Sequence, residues 1–395
     1  MCSRVRRGGG PYIGTALQLA IWQGIARISM SPRLYLDHAA TTPVLPEARS
    51  AMADALGRWA NPSSPHADGR AARAALEEAR VAIKRGLGWN GELIFTGGAT
   101  EAARLAFRRC HLHGPKPAMS TAEHDAIRSQ AAAEDRWHIG VGSNGLLDPA
   151  ALAFWLQLAP GGLVAVQHVN NETGVIQRLA DIAEAVDAAG SYLLADCAQS
   201  AGKLPLPPAD LIMVSAHKLG GPPGIGALLV RDLKLLVPEG GQERGYRRGT
   251  ENLPAILGFA AAVEAKAWDM ARLATLRQVL EARLVEHGAS IVGGGDPPVE
   301  PAPRLPTIGA YAMPHASAMA QLVLFDCRGI LVSAGSACSS GTTKSSHVLE
   351  AMGVAPDVAS RTIRVSFGPD TGMDDVMTLA DAWIAMAAEA KARAA

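Results

Sequence analysis

The stretch Val214-Ser215-Ala216-His217-Lys218-Leu219-Gly220-Gly221 sets one lysine between a β-prone apolar run, Leu211-Ile212-Met213-Val214, and a glycine-rich turn. A sheet ending there presents a single amine to a carbonyl compound. An earlier run, Tyr192-Leu193-Leu194-Ala195-Asp196, ends in a carboxylate. Alone, each residue reads as an ordinary loop charge. An acid and an amine on successive strand ends together suit pyridoxal phosphate, whose aldehyde needs an amine and whose ring nitrogen needs a carboxylate.

The phosphate of such a group needs a different device. Thr96-Gly97-Gly98-Ala99-Thr100 joins a short apolar run to the start of a helix. First-turn N–H groups and the positive helix end favour a dianion there. The glycines let the backbone approach closely, and Thr100 adds a hydroxyl. The same pattern also serves as a plain βα turn. Ser215 and His217 offer further donors beside Lys218. The run Gly220-Gly221-Pro222-Pro223-Gly224-Ile225-Gly226 lacks the spacing of a nucleotide-binding loop.

These groups must be positioned by regular elements. The spacing predicts helices over 46–57 and 71–86, the second with Leu76, Ala79, Ile83 and Leu87 on one face. A strand over 93–96 runs into a helix near residue 99. A β run over 162–169 ends in Asn170-Asn171-Glu172-Thr173-Gly174. A helix over 179–189 precedes the strands ending at Asp196 and Lys218, and 226–230 adds another. This alternation predicts an α/β fold, its mostly parallel sheet covered on both faces. Ligands bind beyond the carboxyl ends of such strands, where Thr100, Asn171, Asp196 and Lys218 fall.

Downstream, a long helical stretch over 254–288 leads into a smaller unit. The segment 293–306 reads as loop, and two β runs, 305–310 and 329–333, flank a helix over 316–327. Thr371 is the expected N-cap of the last helix, with Asp374 completing a capping box.

Lys+Arg and Asp+Glu both number 37, so bulk charge points to neither nucleic acid nor an anionic membrane as partner. Five cysteines without CxxC spacing argue against a zinc site or a disulfide framework, and no metal is expected. A reducing, cytoplasmic setting is the default. No apolar run is long enough to span a bilayer. Residues 1–30 carry arginines but no acid and read as an extension. It is either an over-extended reading frame ahead of a natural start at Met30, or an organellar transit peptide.

From Tyr35 to the last helix the chain resembles the cysteine desulfurases of the class V aminotransferase lineage. The matching motifs are Tyr35-Leu36-Asp37-His38-Ala39-Ala40-Thr41-Thr42-Pro43, Asn61-Pro62-Ser63-Ser64-Pro65-His66, Gly98-Ala99-Thr100-Glu101, Glu123-His124, His168-Val169-Asn170-Asn171-Glu172-Thr173-Gly174, Asp196-Cys197-Ala198-Gln199-Ser200, His217-Lys218, Arg244-Gly245-Tyr246-Arg247-Arg248-Gly249-Thr250 and Ser333-Ala334-Gly335-Ser336-Ala337-Cys338. The Ser-Gly-rich surroundings of Cys338 resemble the long-loop branch that includes the iron–sulfur and nitrogenase-maturation enzymes.

The resemblance implies a fold-type I transferase dependent on pyridoxal 5'-phosphate. A large domain over 46–262 would bind the cofactor. Residues 31–45 and 263–395 would form a small α+β domain carrying the Cys338 loop. Lys218 would bond the cofactor covalently and move protons. Asp196 would face the ring nitrogen, Gln199 the phenolic oxygen, and His124 the ring face. Ala99, Thr100, Ser215 and His217 would hold the phosphate, joined by Thr250 from the neighbouring subunit of a homodimer. Arg364, assisted by Asn171, would clamp the substrate carboxylate. Cys338 would take the sulfur of L-cysteine as a persulfide, release alanine and pass the sulfur to an acceptor protein in iron–sulfur or other sulfur-cofactor assembly. Lys344 and His347 follow it in sequence as groups that could favour its thiolate. Cys110, Cys197 and Cys327 read as small buried thiols. Gly98, Arg104 and Ala216 depart from the residues common in the family. Selenocysteine lyase, another class V activity or a non-catalytic sulfur-transfer scaffold are the alternatives.

Overall fold

The computed structural model describes residues 33–57, 60–113, 115–293, 299–335 and 346–394. Strand β1 (Leu34–Tyr35) opens the described chain and lies outside the main sheet. That sheet has seven strands: β2 (Glu92–Thr96), β3 (Ala118–Ser120), β4 (Trp137–Ile139), β5 (Leu163–Gln167), β6 (Tyr192–Asp196), β7 (Leu211–Ser215) and β8 (Gly226–Val230). Their order is β2-β8-β7-β6-β5-β3-β4. Only β8 runs antiparallel to its neighbours, β2 and β7. The predicted mostly parallel sheet is therefore present.

Every residue of β5, β7 and β8 is buried. Such strands read as continuous apolar runs because helices cover both faces. On one face pack Leu76 and Ile83 of the helix Ala67–Leu87, Ile182 of the helix Leu179–Ala188 and Phe259 of the helix Leu253–Glu264. On the other face lie Ala103 and Phe107 of the helix Ala99–His113, with Ile94, Met213 and Leu228. The helix Ala67–Leu87 starts where His66 Nδ1 accepts from Gly69 N and stops at Gly88, whose φ of 70° only glycine adopts freely.

A second core gathers Leu36, Leu273, Leu280, Phe325, Val365, Leu379 and Trp383. It backs the antiparallel strands β9 (Ser290–Val292), β10 (Ile308–Ala312) and β12 (Thr362–Ser366). A short strand, β11 (Ile330–Leu331), pairs in parallel with β1.

The chain departs from expectation in four places. The stretch 254–288 is two helices, Leu253–Glu264 and Met270–Glu286. Lys266 takes φ 47°, and Asp269 caps the second helix by accepting from Arg272 N. A continuous apolar period hid this break. The break turns Trp268 back toward the main sheet, where its Nε1 donates to Leu219 O at 3.2 Å. The run expected from 305 begins at Ile308, after a turn closed by Ile308 N donating to Leu305 O. Thr371 does not cap the last helix, Met373–Ala394; its hydroxyl accepts from Gly368 N. The reach-back contact is made one residue later, by Asp375 Oδ2 to Gly372 N. Cys327, read as buried, is exposed, whereas Cys197 is fully buried. The Cys110 side chain lies outside the described residues. No helix among the described residues is long and apolar enough to cross a membrane.

Candidate active site

The carboxyl ends of β5, β6 and β7 meet the segment Asp37–Thr42. Lys218 closes a short 3-10 turn directly after β7. Its Nζ donates to Ala39 O at 2.6 Å and Ala40 O at 2.8 Å. Gln199 Nε2 donates to the same Ala39 carbonyl at 2.8 Å. His217 Nδ1 lies 3.1 Å from Thr41 Oγ1, and Thr42 N donates to His217 O. Two residues upstream of Ala39, Asp37 Oδ1 accepts from Arg364 Nη2 at 2.7 Å. Arg364 Nη1 donates to Asn171 O at 3.1 Å. One six-residue strap thus gathers the lysine, the glutamine, the histidine and the arginine singled out from sequence.

Asp196, the last residue of β6, is 7% exposed. Burial pushes its carboxyl up, while Ala198 N–H, His124 and Lys218 pull it back. Both the histidine and the lysine therefore lie within its electrostatic reach. His124 is half-buried and caps the turn Asp125–Arg128, its Nδ1 accepting from Ala126 N. Burial, with Lys218 and Lys203 nearby, lowers His217 to about 4 and keeps its ring neutral at pH 7.

The turn Gly97–Thr100 opens the helix Ala99–His113. Gly98 takes φ 144°, which disfavours any side chain, and Gly226 packs its Cα so closely that a Cβ on Gly226 would lie 2.8 Å away. A Cβ on Gly98 would lie 3.9 Å from Ser215 Oγ, so the turn and the end of β7 share one corner. Ala216, in place of a usual glycine, fits because Gly221 is bare: a Cβ there would lie 2.9 Å from that of Ala216. Arg104 turns away to Glu239 at 3.1 Å.

One described residue singled out from sequence is not brought in. Thr250 is exposed and makes no hydrogen bond among the described residues. Its segment is tied to the site indirectly, by Arg247 Nε donating to Glu101 Oε1 at 3.0 Å. Cys338 and Lys344 lie outside the described residues.

Other groups were not assigned a role from sequence. Glu123 is fully buried beside Asp196; burial and that neighbour push its carboxyl well up, favouring the neutral acid. Lys203 lies 4.3 Å over the Trp268 ring, and burial, then Lys218, lowers it to about 7. His38 and His168 are both lowered to about 4, chiefly by burial. Asp37 was visible only as part of a motif. Its role depends on β12, whose distance along the chain no local pattern reveals.

The chain matches the family model described as Aminotransferase class-V over residues 34–379 and belongs to that class. A cysteine desulfurase of Cereibacter sphaeroides is 36% identical over 357 residues, 85% of this chain and 90% of the relative. An IscS-like cysteine desulfurase of Mycobacterium tuberculosis is 36% identical over 370 residues, 87% and 93% of the two chains. Within the class, the chain belongs to the cysteine desulfurase family. Its structure is similar to a NifS-like protein from Rickettsia africae, with TM-score 0.80 and 29% identity over 89% of this chain and 98% of that one. It is also similar to SspA in complex with cysteine, with TM-score 0.71 and 30% identity over 85% and 99%.

The family depends on pyridoxal phosphate, and the residues here fit that group. Gln199 Oε1 is buried with no hydrogen-bond partner, an orphan that a polar ligand would satisfy. Asp196 is a desolvated carboxylate suited to a protonated ring nitrogen. Ala99 and Thr100 have first-turn N–H groups with no intrahelical acceptor, beside a corner too tight for side chains.

Proposed function

We propose that the protein takes sulfur from L-cysteine, releases L-alanine and leaves the sulfur on Cys338 for an acceptor protein in iron–sulfur or other sulfur-cofactor assembly. The observation that carries this reading is the strap Asp37–Thr42, which binds Lys218, Gln199 and Arg364 into one site. Bound pyridoxal phosphate supplies an electron sink at the substrate α-carbon. Lys218 would hold that group and would move protons at the substrate α-carbon. Asp196 would keep the ring nitrogen protonated, Gln199 would bond the phenolic oxygen and His124 would cover the ring. Ala99, Thr100, Ser215 and His217 would hold the phosphate. Arg364, aligned by Asp37 and Asn171, pairs with the substrate carboxylate.

Cys338 attacks the substrate sulfur as a thiolate. A sulfur–sulfur bond forms, the carbon–sulfur bond breaks, and its electron pair stays on carbon. Protonation there completes alanine. Three Cα–Cα steps lead from Gly335 to Cys338, a reach of at most about 11 Å. A Cβ built on Gly335 would collide with the Glu172 carboxylate, next to Asn171, so the thiol's root starts at the site. Intact-mass analysis after L-cysteine addition should find one extra sulfur on the Cys338 peptide, and Cys338→Ala should cut alanine formation at least about a hundredfold. Alanine production that survives the substitution would refute this role.

We further propose a homodimer in which Thr250 reaches the phosphate of the second copy. Its exposure, and the Arg247–Glu101 tie to the phosphate turn, support that arrangement. Sedimentation equilibrium should give twice the chain mass; the mass of one chain refutes it.

A further inference from the structure

Glu172 sits directly after Asn171 and is 5% exposed. Its backbone is fixed, since Asn170 Oδ1 accepts from both Glu172 N and Thr173 N at 2.9 Å. Asn170 is itself held through its amide nitrogen by Ala122 O and Gln167 Oε1. The carboxylate that this scaffold projects meets two residues distant from it in sequence. Ser346 Oγ donates to Glu172 Oε2 at 2.5 Å. Gly335 packs against the same oxygen so tightly that any side chain there would overlap it. Gly335 and Ser346 are the described residues that bracket 336–345, the segment containing Cys338.

The second bracket is secured twice more. Ser346 Oγ caps the turn His347–Ala351 by accepting from Leu349 N at 3.1 Å. His347 Nε2 lies 2.9 Å from Glu123 O, the buried acid beside Asp196. Arg364 lies within electrostatic reach of Glu172 and bonds the carbonyl of Asn171. A single carboxylate therefore joins both roots of the segment to the arginine proposed to clamp the substrate.

We infer that Glu172 is a positioning residue that ties both roots of segment 336–345 to the substrate site and so sets where the Cys338 thiol can act. Any chain segment whose two ends share one anchor has fewer placements than one with free ends. The inference rests on the proposed role of Cys338.

The test uses cofactor-loaded enzyme and the variants Glu172→Ala, Glu172→Gln and Ser346→Ala, with two readouts. The first is native-state trypsin cleavage after Lys344, which needs no turnover. It should quicken several-fold in Glu172→Ala and Ser346→Ala, with cleavage elsewhere unchanged. Glu172→Gln, which keeps an acceptor for Ser346, should stay close to wild type. The second is single turnover with L-cysteine. Sulfur should reach Cys338 at least about tenfold more slowly in Glu172→Ala, while the absorbance change on substrate binding persists. Unchanged cleavage at Lys344 overturns the tie. Equal loss of substrate binding and sulfur transfer overturns the positioning role in favour of a structural one. If wild-type Cys338 never gains sulfur, the nucleophile reading and its positioning fail together, and the cleavage arm still reports the tie independently. Ser346→Ala keeps the question open to refutation should Glu172→Ala misfold.

Discussion

Lys218→Ala should leave a folded protein that retains no cofactor absorbance after gel filtration and turns over at least about a thousandfold more slowly. The lysine Nζ bonds two backbone carbonyls of the strap, and its side chain is not part of the apolar core, so folding does not depend on it. Lys218→Arg should not rescue, because a guanidinium stays protonated and cannot add to an aldehyde. Ultraviolet–visible spectra and alanine quantification read both outcomes. A Lys218→Ala protein that keeps the band and the activity would remove the amine from the chemistry altogether.

The second large effect is on stability. Glu243 is 3% exposed and takes φ 49°, with φ 57° at Arg244 after it. Each left-handed non-glycine residue costs on the order of 1 kcal/mol. Three bonds from the Glu243 carboxylate hold the turn regardless. Oε2 accepts from Arg80 Nη1 and from Phe95 N, both at 2.8 Å, and Oε1 accepts from Arg80 Nη2 at 3.0 Å. Arg80 also lies over the Phe95 ring at 4.7 Å. Glu243→Ala strips a buried charge of its main partner and should lower the unfolding free energy by about 3–5 kcal/mol. Arg80→Met combined with Glu243→Met should recover a substantial part, because no unpaired charge remains. Urea unfolding, followed by a probe in the large sheet, distinguishes the two. If the single variant loses less than the double, the pair is not what pins the turn. The loss matters to function because Phe95 belongs to β2, which leads into the phosphate turn.

The site was unevenly legible in the sequence. Asp196 stood out because it closes a strand run, and Lys218 because it follows one by three residues; the sheet ends where that pattern implied. The glycine-rich turn Gly97–Thr100 was legible for the same local reason. Strand and helix identities followed from periodicity, but ends did not. The Lys266–Asp269 break carries no Pro or Gly, so the apolar period ran through it. Thr371 and Asp374 mimicked a capping box, while the real contact used Asp375, one residue on. The strap was invisible in its action. Asp37 meets Arg364, and Ala39 meets Gln199 and Lys218, across separations that only the folded chain reveals. Glu172 was hidden likewise, since its partner Ser346 lies far along the chain.

The strap also fixes the order of events during synthesis. Leu36 N donates to Leu331 O, and Asp37 waits for Arg364, 327 residues further on. At ribosomal speeds of about 5–20 residues per second, that partner emerges roughly 15–65 seconds later. Through that interval Asp37 lacks its arginine and Leu36 lacks the Leu331 carbonyl. The newborn polypeptide can complete this contact only after residue 364 has emerged.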